Sequence, residues 1–126
     1  MKYKLTKSSE IPKKKKIDIE IEIYPNMEEG EGKTVQEGDT AYVYYKGTFL
    51  NGSVFDSNIG GNPFSFTLGE GRVIEGWEKG VEGMKEGEKR RLVIAPHLAY
   101  GERGMGIIPP DSTLVFEIEL LEIEKR

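Results

Sequence analysis

Only one stretch of this chain has helical spacing, and that limits what the remainder can build. Val73, Trp77 and Val81 recur at four-residue intervals with Ile74 beside them, forming one apolar stripe. Glu75, Glu78, Lys79 and Glu82 form a wet opposite face. Gly76, Gly80 and Gly83 fall in or next to the same stretch, and each weakens an isolated helix by roughly 1 kcal/mol relative to alanine. So short a helix is marginal alone and must be held by packing. Glycine beside the only tryptophan implies that something comes close to the backbone there. Trp77 is then covered either by the protein's own core or by a ligand.

Around this stretch the chain reads as strands. Ile17, Ile19, Ile21 and Ile23 alternate with Asp18, Glu20 and Glu22, the pattern of a strand with one buried face. Tyr24-Pro25-Asn26 and Gly30-Glu31-Gly32 end it. Gly38-Asp39 turns into a second strand, Thr40 to Lys46, with Gly47 after it. Asn51-Gly52 marks a tight return into Val54-Phe55-Asp56. Residues 58–63 read as a loop. Phe64, Phe66 and Leu68 then alternate with Ser65 and Thr67 as a short strand. Gly83 is placed to stop the helix.

A further strand, Glu88 to Ala95, ends at Pro96. Residues 96–112 form a loop rich in glycine and proline, long enough to point to function. The last strand runs from Thr113 to Ile123, with Phe116, Ile118 and Leu120 opposite Glu117 and Glu119. Strands without βαβ alternation, plus one helix, give an α+β fold in which the helix covers the apolar face of an antiparallel sheet. Residues 1–16, with the run Lys13 to Lys16, read as a polar basic tail, and 17–126 as a single domain.

Several chemistries are excluded. A net charge of −4 argues against nucleic-acid binding through bulk charge. The absence of cysteine removes disulfides and thiolate chemistry. The single histidine, His97, cannot make a multi-histidine metal site, and a catalytic triad would have to use it; it reads as a polar loop residue. Gly69, Gly71 and Gly76 do not match a dinucleotide fingerprint, and there is no phosphate loop. No metal or cofactor is expected. No apolar run reaches membrane-spanning length, and Met1 to Lys16 lack an apolar signal core, so the expectation is a cytoplasmic protein that does not engage membranes.

Most carboxylates alternate along strands as wet faces. Asp56 differs, because it ends a short apolar run: it is either a turn-forming residue or a polar group at the lip of an apolar site. Phe66 has core spacing. Tyr45, Phe55, Tyr100 and the pair Ile107-Ile108 fall at expected strand ends or in loops, where a core would not need them.

Phe55-Asp56-Ser57, Val73-Ile74-Glu75-Gly76-Trp77, Ala99-Tyr100-Gly101 and Gly106-Ile107-Ile108-Pro109-Pro110, followed by Thr113-Leu114-Val115-Phe116-Glu117, resemble the FK506-binding proteins, a family of peptidyl-prolyl cis-trans isomerases. The resemblance covers about residues 30–124. It implies a bent antiparallel sheet wrapped around one short helix, and an activity that needs neither covalent nor metal chemistry. By this resemblance Trp77 forms the floor under a substrate proline ring. Tyr45, Phe55, Val73, Ile74 and Phe116 form apolar walls, with Phe64, Ile107 and Ile108 at the rim. The Ile74 backbone N–H and the Tyr100 hydroxyl donate to ligand carbonyls, and Asp56 accepts. The implied partners are proline-containing peptides and proteins and FK506- or rapamycin-like macrolides, bound by a monomer. Two places depart from the family pattern. Gly60-Gly61-Asn62 stands where small members often carry an arginine near the aspartate, which puts a cationic partner for Asp56 in question. Met105 stands where some members carry histidine, in a loop one residue shorter. Two other readings share this fold: a binding module without useful turnover, and a chaperone-type surface.

Overall fold

A computed structural model describes residues 18–24 and 33–126. The expected basic tail, Ile17, Pro25-Asn26 and Gly30-Glu31-Gly32 lie outside them. The described elements are β1 (Ile19–Ile23), β2 (Thr40–Phe49), β3 (Val54–Ser57), β4 (Phe64–Thr67), α1 (Glu75–Val81), β5 (Lys89–Ile94) and β6 (Leu114–Glu124). A 3-10 turn, Pro96–Leu98, interrupts the long loop that was expected to be irregular throughout. The strands form one antiparallel sheet in the order β1-β5-β6-β2-β3, and β4 also pairs with β2.

Strand β2 is the spine of this sheet. It pairs with β6 along its whole length, while its other edge is shared: Thr40–Val43 take β4, and Lys46–Thr48 take β3. Asn58 fills the gap between the two partners. Its Oδ1 accepts from the Tyr45 N–H at 2.7 Å, and its Nδ2 donates to the carbonyls of Val43 and Asn62, each at 3.1 Å. A side-chain amide thus stands in for a strand's backbone groups where neither strand reaches.

In β6, Leu114, Phe116, Ile118 and Leu120 are buried at alternate positions. Tyr42 then pairs with Glu122 but Val43 with Leu120, so Leu121 is an extra residue. This bulge moves the apolar phase by one, and Ile123 turns inward in place of Glu122. At the other end of the sheet Ile23 is 43% exposed, and the isoleucine face of β1 is partly buried over Ile19 and Ile21.

Helix α1 lies directly on β5. A Cβ at Gly76 would stand 2.5 Å from Ile94 Cγ2, and one at Gly80 2.5 Å from Leu92 Cδ1. The close neighbour expected from these glycines is the sheet itself. The helix stops where Glu82 leaves helical geometry and Gly83 takes a φ of +86°, with the Met84 N–H donating to the Val81 carbonyl at 3.0 Å. Arg90 caps this end: Nη1 donates to the Gly80 carbonyl at 3.0 Å, while Nε is held by Glu88 at 2.6 Å.

Gly47, expected to follow β2, lies inside it, and Tyr45 is therefore in mid-strand rather than at a strand end. The reason is packing. A Cβ at Gly47 would come within 2.7 Å of Phe55 Cζ and 2.8 Å of Phe116 Cε1. The glycine is the seat for two rings.

Replacing Gly80 with alanine gains about 1 kcal/mol of helix propensity but overpacks Leu92, which costs typically about 1–3 kcal/mol. Gly80→Ala is expected to lower the urea midpoint by about 1 kcal/mol of stability with an unchanged m-value. Asp39 carries a second prediction. Its buried carboxylate accepts from Lys125 Nζ at 2.7 Å, the Arg126 N–H at 3.0 Å and the Gln36 N–H at 2.9 Å. Lys125 first, then these two amides, lowers its pKa to about 2 from the usual 3.8. A lowered folded-state pKa gives stability that is present above the unfolded value and lost as pH falls toward the folded one. Wild-type stability is therefore expected to decline between about pH 4 and pH 2, and Asp39→Asn to lessen that slope in acid denaturation followed by circular dichroism.

Candidate functional site

Because α1 presses its glycines against the sheet, Trp77 on the same helix is carried deep and is only 4% exposed. Three rings meet its indole nearly edge-on: Tyr45 at 5.2 Å between centroids, Phe116 at 5.3 Å and Phe64 at 6.0 Å. Phe66 tilts against it at 5.6 Å. Such edge-to-face pairs add about 0.5–1.5 kcal/mol each beyond area burial, and here they hold the indole plane. Its Nε1 is the one buried side-chain polar atom among the described residues with no hydrogen-bond partner.

Beside this cluster opens a cavity of about 340 Å³. Trp77, Tyr45, Phe116 and Phe64 line it, with Val73 and Ile74 from the segment leading into α1. Phe55 and Asp56 close one side, and Tyr100 and Met105 to Ile108 another. All eleven residues singled out from the sequence therefore border one space. Ile107 and Ile108, expected together at the rim, diverge. A tight turn joins Met105 and Ile108 through reciprocal backbone bonds of 2.8 and 2.9 Å, leaving Ile107 71% exposed while Ile108 is buried against the core.

Phe55 and Asp56 are consecutive strand residues and would point to opposite faces of a regular strand. The strand is not regular. Gly47 pairs with Asp56 and Thr48 with Val54, which makes Phe55 the extra residue of a bulge. A bulge re-aims a side chain, so both residues reach the same cavity. The Phe55 ring is then gripped by Phe49 at 5.0 Å and Phe116 at 5.6 Å. Asp56 takes no turn-forming or capping role.

Among the described residues only two charged groups border the cavity, Asp56 and Arg72. Asp56 Oδ2 accepts from the Tyr45 hydroxyl at 2.9 Å, and no described cation pairs with it. Burial first, then this bond to Asp56, raises the Tyr45 pKa to about 12. The Tyr100 hydroxyl is likewise raised, by burial and then by the Asp56 charge. Both phenols therefore stay protonated donors across the neutral range, and Asp56 keeps one oxygen open as an acceptor. Nothing described accepts a hydrogen bond from Tyr100.

The wall leading to α1 is tied down by a residue assigned from sequence to the wet face. The Glu78 carboxylate accepts from the Gly69 N–H at 2.6 Å and the Gly71 N–H at 3.0 Å. This fixes the loop from which Arg72, Val73 and Ile74 emerge. Sequence reasoning missed Arg72, Gly106 and the linking role of Asn58; for Arg72 the signal was adjacency to Val73-Ile74. His97 does not line the cavity and bonds to Asp18 Oδ1 at 2.8 Å. Among the described residues no cluster of histidine and carboxylates could hold a metal, and no helix is long and apolar enough to cross a membrane.

Comparison with known proteins places this arrangement. The family model for FKBP-type peptidyl-prolyl cis-trans isomerases matches residues 31–121. FK506-binding protein 1A of Neurospora crassa is 48% identical over 117 residues, which is 90% of this chain and 93% of that protein. FK506-binding protein 4 of Gibberella zeae is 55% identical over 95 residues, 75% of this chain, and the chain spans only 19% of that longer protein. The crystal structure of FkpA from Escherichia coli superposes with a TM-score of 0.75 at 42% identity, covering 85% of this chain and 48% of that one. With the family model spanning most of the chain and this site at its centre, the chain belongs to the FKBP-type peptidyl-prolyl cis-trans isomerase family.

Proposed function

We propose that this domain accelerates rotation about X-Pro peptide bonds in proline-containing peptides and proteins. The observation that carries the reading is the cavity itself: about 340 Å³, apolar, based on Trp77, and bordered by two tyrosine hydroxyls and one carboxylate. That volume lies at the lower end of ligand cavities, which run from about 300 to 1,000 Å³, and is ample for a proline ring with its adjoining backbone. Membership in the isomerase family supports the same reading.

The chemistry needs no nucleophile. Resonance in the amide raises a rotational barrier of about 18–20 kcal/mol. Twisting the bond breaks the resonance and draws charge off the carbonyl oxygen, so the planar ground state is the more polar one. A dry cavity walled by Tyr45, Phe55, Phe64, Ile74, Trp77 and Phe116 costs that ground state more than the twisted transition state. Trp77 would carry the proline ring. The Tyr100 hydroxyl and the Ile74 N–H would hold neighbouring carbonyls, and Asp56 would accept through its open oxygen. A millionfold acceleration requires roughly 8 kcal/mol of differential stabilisation, shared among these contacts. FK506-like macrolides, for which the relatives are named, would compete for the same space.

The test is a protease-coupled or exchange-NMR assay on an X-Pro peptide, in which the domain at micromolar concentration is expected to shorten the tens to hundreds of seconds of spontaneous exchange. No acceleration overturns the enzyme reading; macrolide binding without acceleration favours a binding module instead. Tyr100→Phe removes one donor, about 0.5–1.5 kcal/mol, and is expected to lower kcat/KM roughly two- to tenfold with little change in the urea midpoint. Equal loss of activity and stability would mark Tyr100 as structural.

A further inference from the structure

We infer that Arg72 is a specificity-determining residue that favours substrates carrying an acidic side chain next to the proline. This deepens the isomerase reading and rests on it. Arg72 is the only cation bordering the cavity among the described residues. Its one described partner is Glu70, with Nε 3.7 Å from Oε1 and the side chains 75% and 53% exposed. A pair so long and so wet holds the guanidinium weakly, and leaves its fork of donors available to a carboxylate. The backbone beneath it is not loose, because Glu78 binds the Gly69 and Gly71 amides immediately before it. An exposed, weakly paired head thus stands on a fixed base at the cavity edge.

A peptide whose proline ring sits on Trp77 continues in both directions along its chain. It must therefore pass the rim of the cavity, which Arg72 borders. Of the other charges, Asp56 is an acceptor and would favour a basic neighbour, and Lys79 and Glu75 do not border the cavity. Arg72 is left as the group able to read a neighbouring negative charge. The net charge of −4 acts in the opposite sense and at longer range, favouring basic peptides. The diagnostic quantity is therefore the change in preference when Arg72 is altered, not the preference of the wild type.

The experiment compares wild type, Arg72→Gln and Arg72→Glu on peptides identical except for Glu, Gln or Lys before the proline, and on a second set varied after it. Arg72 is exposed, so both variants are expected to fold, and circular dichroism checks this. The ratio of kcat/KM for Glu over Lys peptides is expected to fall by about two- to fivefold in one set on going to Arg72→Glu, with Arg72→Gln between. The difference should shrink at about 1 M salt, where the Debye length falls to about 3 Å. Ratios unchanged in both sets, with the Gln peptide still accelerated by all three proteins, overturn the assignment of Arg72 alone. Failure of wild type to accelerate the Gln peptide overturns the isomerase reading and this inference together.

Discussion

The distance between α1 and β5 governs the rest of this domain. Two glycines on one face of a seven-residue helix let its backbone settle onto Leu92 and Ile94, with no room for a methyl group at either position. That contact supplies the packing that so short a helix lacks by itself. It also sets the height of Trp77, one residue after Gly76. A helix held farther from the sheet would carry the indole outward and fill the space that the cavity occupies. The element that stabilises the core and the element that shapes the site are therefore one.

The walls around Trp77 come from strands and loops scattered along the chain, and four local devices position several of them. A bulge turns Phe55 and Asp56 to the same side. A missing side chain at Gly47 seats the rings of Phe55 and Phe116. Asn58 keeps β2 satisfied where β3 departs and β4 begins. Glu78 reaches back from the helix to secure the loop before Ile74. None of these residues contributes much apolar area. They determine direction, and the aromatic side chains supply the surface.

These devices explain what could and could not be read in the sequence. The strands and the helix were legible because alternation and four-residue spacing reflect which side chains are buried. The residues bordering the cavity were legible through family resemblance, and partly through aromatics standing where a core had no use for them. The exceptions are instructive. Gly47 looked like the end of β2, since glycine usually weakens a strand; its reason is a contact with rings distant in sequence. Glu78 looked like a solvent-facing helix residue, because spacing reports the face but not what the side chain reaches. The phase change at Leu121 shows in the sequence only as the doublet Leu120-Leu121 before Ile123; which residue is extra depends on the pairing with β2. Ile107 and Ile108 read as a pair in the sequence, yet a tight turn sends adjacent side chains to different environments.

The indole nitrogen of Trp77 is buried without an acceptor. An orphaned donor in an apolar setting costs on the order of 1–3 kcal/mol, which few core positions sustain. Because the chain has no second tryptophan, every photon its indole emits reports from the bottom of the cavity. The emission maximum is thus a natural hydration gauge: blue while the base is dry, and shifted to the red when solvent reaches that nitrogen. Wetting of the site can be followed optically in the unlabelled protein.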